Sequence, residues 1–385
     1  MVFGVISQGV LHMTPSQLAR FACGALAGAF LVACNSAGSQ SFGGTVSAAS
    51  RPRLDSAGLA RIIALTSPVR NFPAYRPNHR KSWILPDTPR RQYLLYVSDI
   101  ASGTVDIYNY RARQGRMFGQ ITGFGFPYGQ CIDRSGNVYV VDAGTNTVYE
   151  FAHGGTSPIA TAPDSYGSPS GCSVDPTTGN VAVSNLAGFG GSAAGGVVIY
   201  SGGLSGTQTN YTDPNLNDAF PPGYDPGGNL FVQGLTTSGE PTFVEMPTGS
   251  SSFTALTGLD NRDPGSVQWD GSYIAATDQA YHGNRTAIYR VSVSGSAVTV
   301  VRTTILEDDH RPGNLMFAMQ PFINGTTRRL NAVVAGNIAR FHAVAFWNYT
   351  NGGEPKRSLP ENIAPLWAAG QSVSPLRLRR MQPRM

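Results

Sequence analysis

The chain has 385 residues, of which 13% are charged, with 46 glycines and 26 prolines. That balance excludes a charge-laced helical protein and suits many short strands joined by tight turns. Residues 92 to 376 carry 14 basic and 21 acidic side chains, whereas residues 51 to 91 and 377 to 385 together carry 13 and 2, so the body is acidic, the ends are basic, and nucleic-acid binding is not expected.

Residues 1–33 read as an export signal. Arg20 precedes an apolar run, Phe21 to Ala33, that is too short to span a bilayer; Met13 is an alternative start. Leu31-Val32-Ala33-Cys34 resembles the bacterial lipobox, whose cysteine is diacylated and becomes the mature N-terminus. The resemblance implies lipid attachment at Cys34 and, with no aspartate following, sorting to the outer membrane of a Gram-negative-type bacterium. A plain signal peptide with an incidental cysteine is the other reading. Residues 34–92 read as a tether, rich first in Ser, Ala, Gly and Pro and then in basic residues. A short helix is expected from Ser56 to Leu65, and Lys81 to Pro86 should pack along the outside of the fold. The basic strip beside a lipid anchor suits anionic headgroups; solvated ends are the plain alternative.

From Tyr93 onward one unit recurs. Apolar runs end at Asp99, Asp142, Asn185, Gln233, Asp278 and Ala335, at intervals of 43, 43, 48, 45 and 57 residues, the length of a four-stranded blade. Where it is visible, the same turn precedes the run: Asp133-Arg-Ser-Gly-Asn137, Asp175-Pro-Thr-Thr-Gly-Asn180, Asp225-Pro-Gly-Gly-Asn229 and Asp270-Gly-Ser272. Each needs Gly or Asn for positive φ and has an Asp able to cap the backbone. An aromatic closes the next strand in every unit: Tyr108, Tyr149, Tyr200, Phe243, Tyr289 and Phe346. Runs such as Val138-Tyr139-Val140-Val141 are apolar at consecutive positions, so both strand faces must be buried. A propeller supplies that burial and a two-layer sandwich does not. The first unit lacks an innermost strand, and Pro365 to Ser374, which resembles the Pro127 to Asp133 segment, is expected to supply it. The fold class is therefore all-β: a six-bladed β-propeller of four-stranded antiparallel blades over 93–376, closed by a C-terminal strand added to the first blade, with a basic tail at 377–385.

The Asp-x-x-Gly-Asn cores at 133 to 142, 175 to 185 and 225 to 233, with Tyr-Val-Ser-Asp at 96 to 99, resemble NHL-type six-bladed propellers, among them bacterial secreted and lipoprotein members. Such repeats are scaffolding, and activity resides in loops grafted on them. Enzymatic relatives of this architecture include lactonase-like propellers, which hold a divalent metal with Glu, Asn and Asp from separate blades. Here the innermost strands bring Tyr128, Gln130, Cys172, Pro222, Ser266, Gln268, Gln320 and Trp367 toward the channel or its rim. They include no converging carboxylates, so neither a metal nor a cofactor is expected. The streptogramin lyases' catalytic pair and a quinoprotein cofactor cradle are likewise unmatched.

Of the local signals, Glu307-Asp308-Asp309-His310 reads as an acidic solvated loop and His153 and His282 as polar turn residues. Trp269-Asp270 sits at an inner turn, unlike the dipeptide of WD40 repeats. Cys131 and Cys172 lie one register apart on adjacent blades; export permits a disulfide, but alternation sets the side chains in opposed directions, so two buried thiols are expected. The functional expectation is a monomeric, non-catalytic binding or scaffolding module at the cell envelope, its partner a protein, peptide or glycan. The alternative is a hydrolase or lyase acting on a small lactone or sugar.

Overall fold

The computed structural model describes residues 78–91, 93–111, 115–187, 195–282, 285–307, 318, 320–324, 332–337, 343–365 and 368–375. The export signal, Cys34, the proposed helix at Ser56 to Leu65, Asp308 to His310, Trp367 and the tail lie outside the described residues.

Six antiparallel sheets follow one another along the chain. In blade 2 the strands Pro127–Ile132, Val138–Asp142, Thr147–Phe151 and Pro158–Pro163 pair in sequence order from the inside outward. Blades 3, 4, 5 and 6 repeat the plan, with second strands Val181–Asn185, Leu230–Leu235, Ile274–Tyr281 and Ala332–Gly336. Blade 1 is composite. Tyr93–Asp99, Thr104–Asn109 and Met117–Thr122 supply its three sequential strands, and Ala368–Pro375 pairs with Tyr93–Asp99 as the innermost one. The expected closure is thus the observed one: the C-terminal strand completes the first blade and ties the end of the ring to its beginning.

Two departures have local causes. Trp83–Ile84 adds a fifth strand outside blade 1, Trp83 opposite Gln120, so the Lys81 to Pro86 stretch does lie along the outside of the ring. In blade 4 the innermost strand is split into Asp218–Ala219 and Gly223–Tyr224, because Pro221 and Pro222 have no N–H to place in the ladder.

The core confirms the ring. Six buried clusters fill the six junctions between neighbouring blades. Consecutive residues of each second strand go to opposite junctions: Val138 and Val140 pack toward blade 1, Tyr139 and Val141 toward blade 3. Leu94 and Tyr96 face blade 2, while Leu95 and Val97 face blade 6. Each sheet is wedged dry between two others, which is why its central strand cannot alternate apolar with polar. The Asp-capped turns are also as expected: the Asp133 carboxylate accepts from Asn137 N at 2.8 Å and that of Asp225 from Asn229 N at 2.9 Å, with Gly136 and Gly228 at φ 89 and 85°.

One expectation is corrected. Cys131 and Cys172 form a disulfide, with Cα atoms 5.4 Å apart. On neighbouring blades, side chains of opposite parity point at one another across the shared junction, and Cys172 belongs to the cluster between blades 2 and 3 against which Cys131 packs. The opposed directions that argued against a bridge are what a bridge between blades requires.

Candidate functional site

The central channel is closed at one end and open at the other. At the closed end the innermost strands pass backbone to backbone: a Cβ on Gly129 would lie 2.5 Å from the Cα of Gly171 and 2.5 Å from the carbonyl oxygen of Ser170. Only about 10 Å³ remains there. Gln320, just ahead of blade 6, spans the channel to blade 2. Its Nε2 donates to the Gln130 carbonyl at 2.7 Å and its Oε1 accepts from the Gln130 amide at 2.8 Å. The side-chain amide thereby replaces a strand neighbour and bolts the channel shut.

Beyond this bolt the channel widens into a funnel of about 880 Å³ at the end where the first and second strands of the blades turn. Gln130, Cys172, Pro222, Ser266, Gln268 and Gln320 all contribute to its wall. Most of these polar groups join blades. The Gln130 amide donates to Ser98 Oγ and accepts from Ser372 Oγ, at 2.8 and 2.7 Å. Gln268 Oε1 accepts from Ile323 N of blade 6 at 2.7 Å, whereas Ser266 stays within blade 5, 3.3 Å from Thr277 Oγ1. Tyr128 borders the narrow closed end and not the funnel: its ring stacks on Phe126 within the junction of blades 2 and 3, and its phenol oxygen is buried without a hydrogen-bond partner. Burial pushes that phenol well above its ordinary range. A register shift between Pro127 and Gln130 breaks the simple alternation that would have aimed it, like Gln130, at the funnel.

A second cavity of about 680 Å³ runs outward between blades 4 and 5 and shares Asp225 and Trp269 with the funnel. Across the two cavities the lining holds five carboxylates, Asp133, Glu150, Asp175, Asp225 and Glu245, against one cation, Arg134. Burial, and then the Asp133 carboxylate, raise the Glu150 carboxyl; burial and the Asp225 carboxylate raise that of Glu245. Burial also acts upward on Asp175, but bonds from Thr178 Oγ1 and from the amide and hydroxyl of Thr177 outweigh it and hold the group below its usual range. Tyr139, Tyr224, Trp269 and Phe322 add aromatic surface.

In the sequence the rim aspartates Asp133, Asp175 and Asp225 read only as turn caps, and Glu150 and Glu245 carried no signal. The available signal was topological: all turns between first and second strands lie at one end of a ring, so their aspartates must share it. Trp269, which the sequence places at an inner turn, stands where the two cavities meet. Among the described residues no group of three or more His, Cys, Asp or Glu is disposed to hold a metal.

No family model and no curated protein matches this chain in sequence. Among solved structures, a chain of the nidogen/laminin complex is similar over 74% of this chain and 100% of its own, at TM-score 0.55 and 14% identity. A protein of unknown function from Bacteroides caccae is similar over 74% of this chain and 99% of its own, at TM-score 0.53 and 12% identity. At such identities the likeness concerns fold alone, and it accords with the six sheets and six junctions described above: the chain is a six-bladed β-propeller.

Proposed function

We propose that this chain is an exported, lipid-anchored propeller of NHL type that acts as a non-catalytic binding module at the cell envelope, holding a polypeptide segment of a partner in its funnel. The observation that carries this reading is the continuous groove formed by the funnel and the cleft between blades 4 and 5. Its closed floor admits a ligand from one side only, and its length suits an extended chain rather than one compact metabolite. The funnel's aspartates are engaged in capping turns, a role that shapes loops rather than transfers protons. A disulfide between blades favours an oxidising compartment, in keeping with the lipobox-like segment ending at Cys34. Propellers also serve within protein assemblies, as the nidogen/laminin complex illustrates.

The test is capture from envelope extract with the lipid-free mature chain, beside Trp269→Ala. The expected result is a protein retained by the parent and lost from the variant, with cross-links to funnel residues. A partner retained equally by Trp269→Ala overturns the site. Stoichiometric divalent metal together with lactone or sugar turnover would replace the reading with the enzymatic alternative.

A further inference from the structure

The third and fourth strands of blade 5, Arg285–Ser294 and Ala297–Leu306, have ten residues each, whereas the third strands of blades 2 and 3 have five. The second strand, Ile274–Tyr281, does not keep pace. Its first residue lies opposite Val291, so Ser292, Val293 and Ser294 have a strand beside them on one side only. Their other side borders the cleft between blades 4 and 5, whose wall includes Val291, Ser292, Val293 and Gly295. A stretch of sheet edge is thus presented to a cavity.

The ladder decides which polar groups that edge offers. The Asp270 amide donates to the Tyr273 carbonyl across a tight turn at 3.0 Å, so the polar groups of Tyr273 face the first strand and, by alternation, those of Ile274 face Val291. Two residues beyond Val291, Val293 turns its N–H and C=O to the same side, where the second strand has not begun. The outer edge agrees. Val298, opposite Val293, donates its amide outward to the Thr257 carbonyl at 2.8 Å, as a member of a non-hydrogen-bonded pair does. Among the described residues no strand pairs with the inner side of Val293. An extended chain laid there finds one donor and one acceptor.

Side-chain direction follows from the same geometry. Residues directly opposite in a ladder share a face, and Val293 packs with Val291 toward blade 4, against the cluster that contains Phe231. Glu245, the cross-strand neighbour of Phe231, lines the cleft with Asp225 and Trp269. Asp225 is engaged in its turn, but Glu245 has no ion-pair partner among the described residues. A residue paired with Val293 would direct its side chain toward that uncompensated carboxylate.

We propose that an extended segment of the partner adds to blade 5 along Ser292–Ser294, antiparallel to it and bonded to the N–H and C=O of Val293, and that its residue opposite Val293 is Lys or Arg, held by Glu245. The proposal rests on the groove being a polypeptide-binding site and supplies the mode of attachment and the charge of what it holds.

The probe is a library of short linear peptides displayed on phage and selected on the lipid-free mature chain. The selected peptides should share one basic residue. In synthetic copies, N-methylation of that residue removes the donor to the Val293 carbonyl and should weaken binding at least about tenfold, while N-methylation of the next residue, whose amide points away, should change it less than about twofold. Glu245→Gln should reduce the preference for Lys over norleucine from at least about fivefold to less than about twofold. Val293→Pro removes the edge donor but no bond to Ala297–Leu306, so the ring should melt as the parent does and no longer bind the peptides; if that variant does not fold, the N-methyl series decides. Failure to select peptides, peptides without a shared basic residue, or equal tolerance of N-methylation at both positions overturns the strand addition. So does a dimer of the free chain that Val293→Pro dissolves, since a second copy would then occupy the edge. If the selected peptides depend on Trp269 but on neither Val293 nor Glu245, the binding-module reading stands without the added strand; failure to capture an envelope partner is a separate failure of that reading.

Discussion

Asp106 shows how much a single carboxyl can impose on this fold. It is 4% exposed within blade 1 and accepts from Gln120 Nε2 at 2.8 Å, Tyr108 Oη at 3.1 Å and Thr104 Oγ1 at 3.2 Å. Burial first, and then the nearby Asp99 carboxylate, push its pKa up to about 7, against the bonds that favour its charge. Because the folded value lies above the unfolded one, the group's contribution to stability is complete below about pH 4 and is lost as pH rises through about 7. At about 1.4 kcal/mol per pKa unit, that loss is on the order of 4 kcal/mol by pH 8. Asp106→Asn keeps the shape and removes the titration, so urea unfolding should show the variant gaining on the parent between about pH 5 and pH 8. Parallel pH profiles for the two proteins would exclude this assignment. Gln320 illustrates the opposite kind of residue, one whose role the sequence did not disclose. It could be placed toward the channel from its position before an innermost strand, but its bonds to the backbone N–H and carbonyl of Gln130 depend on how closely glycine-bearing strands approach across the ring. Tyr128 lines the closed end of the channel and not the funnel for a related reason: alternation predicts side-chain direction only where no bulge intervenes.

At the scale of strands and turns the sequence was most legible where one physical demand acted alone. The positive-φ turns need Gly or Asn, and the second strands need apolar residues on both faces, so both could be located directly. The split strand of blade 4 and the added Trp83–Ile84 strand were illegible as pairings, since each depends on which partner edge is free. The closing strand was readable because blade 1 lacked an inside. Its hydrogen bonds extend beyond Tyr93–Asp99: Ser372 reaches Gln130 of blade 2, and Gln371 Oε1 accepts from Gly336 N of blade 6 at 3.0 Å. His153 joins the latch through Nδ1, 2.7 Å from Ser374 Oγ. Removing residues 363 to 376 should therefore abolish cooperative melting of the whole ring; a shortened chain that still melts sharply near the parent temperature would refute the latch. The disulfide acts one junction away. It closes a loop of sequence separation 41, so Cys131→Ser with Cys172→Ser should lower stability by about 2–4 kcal/mol while leaving the ring closed, measured as a denaturation midpoint with unchanged slope. Loss of the cooperative transition in that double variant would show the bridge to be part of the closure itself.

Seen whole, the molecule has two unlike faces, and the chain joins one of them. Asn78 meets the ring at the closed end of the channel, where its amide donates to the Ser102 carbonyl at 2.8 Å and its side chain to Gln120 at 2.7 Å. The turn containing Ser102 links second and third strands; the funnel is built from the turns that link first and second strands, at the opposite end. If Cys34 carries the lipid, the chain arriving from the membrane reaches the closed face, and the acidic funnel opens away from the negative headgroups that would repel it. Cysteines introduced one at a time report this polarity: Ser135→Cys at the funnel lip and Ser165→Cys on the link between blades 2 and 3, both exposed in the ring. In the lipidated full chain on anionic vesicles, a membrane-impermeant maleimide should label Ser135→Cys within about twofold of its rate in detergent, while Ser165→Cys is slowed by about fivefold or more as the nearby bilayer restricts access and excludes an anionic reagent. Raising the salt should narrow the difference without reversing it. Equal rates at both positions would mean that the ring tumbles freely on its tether, and faster labelling of Ser165→Cys would place the funnel against the membrane, where a partner from the far side could not enter it.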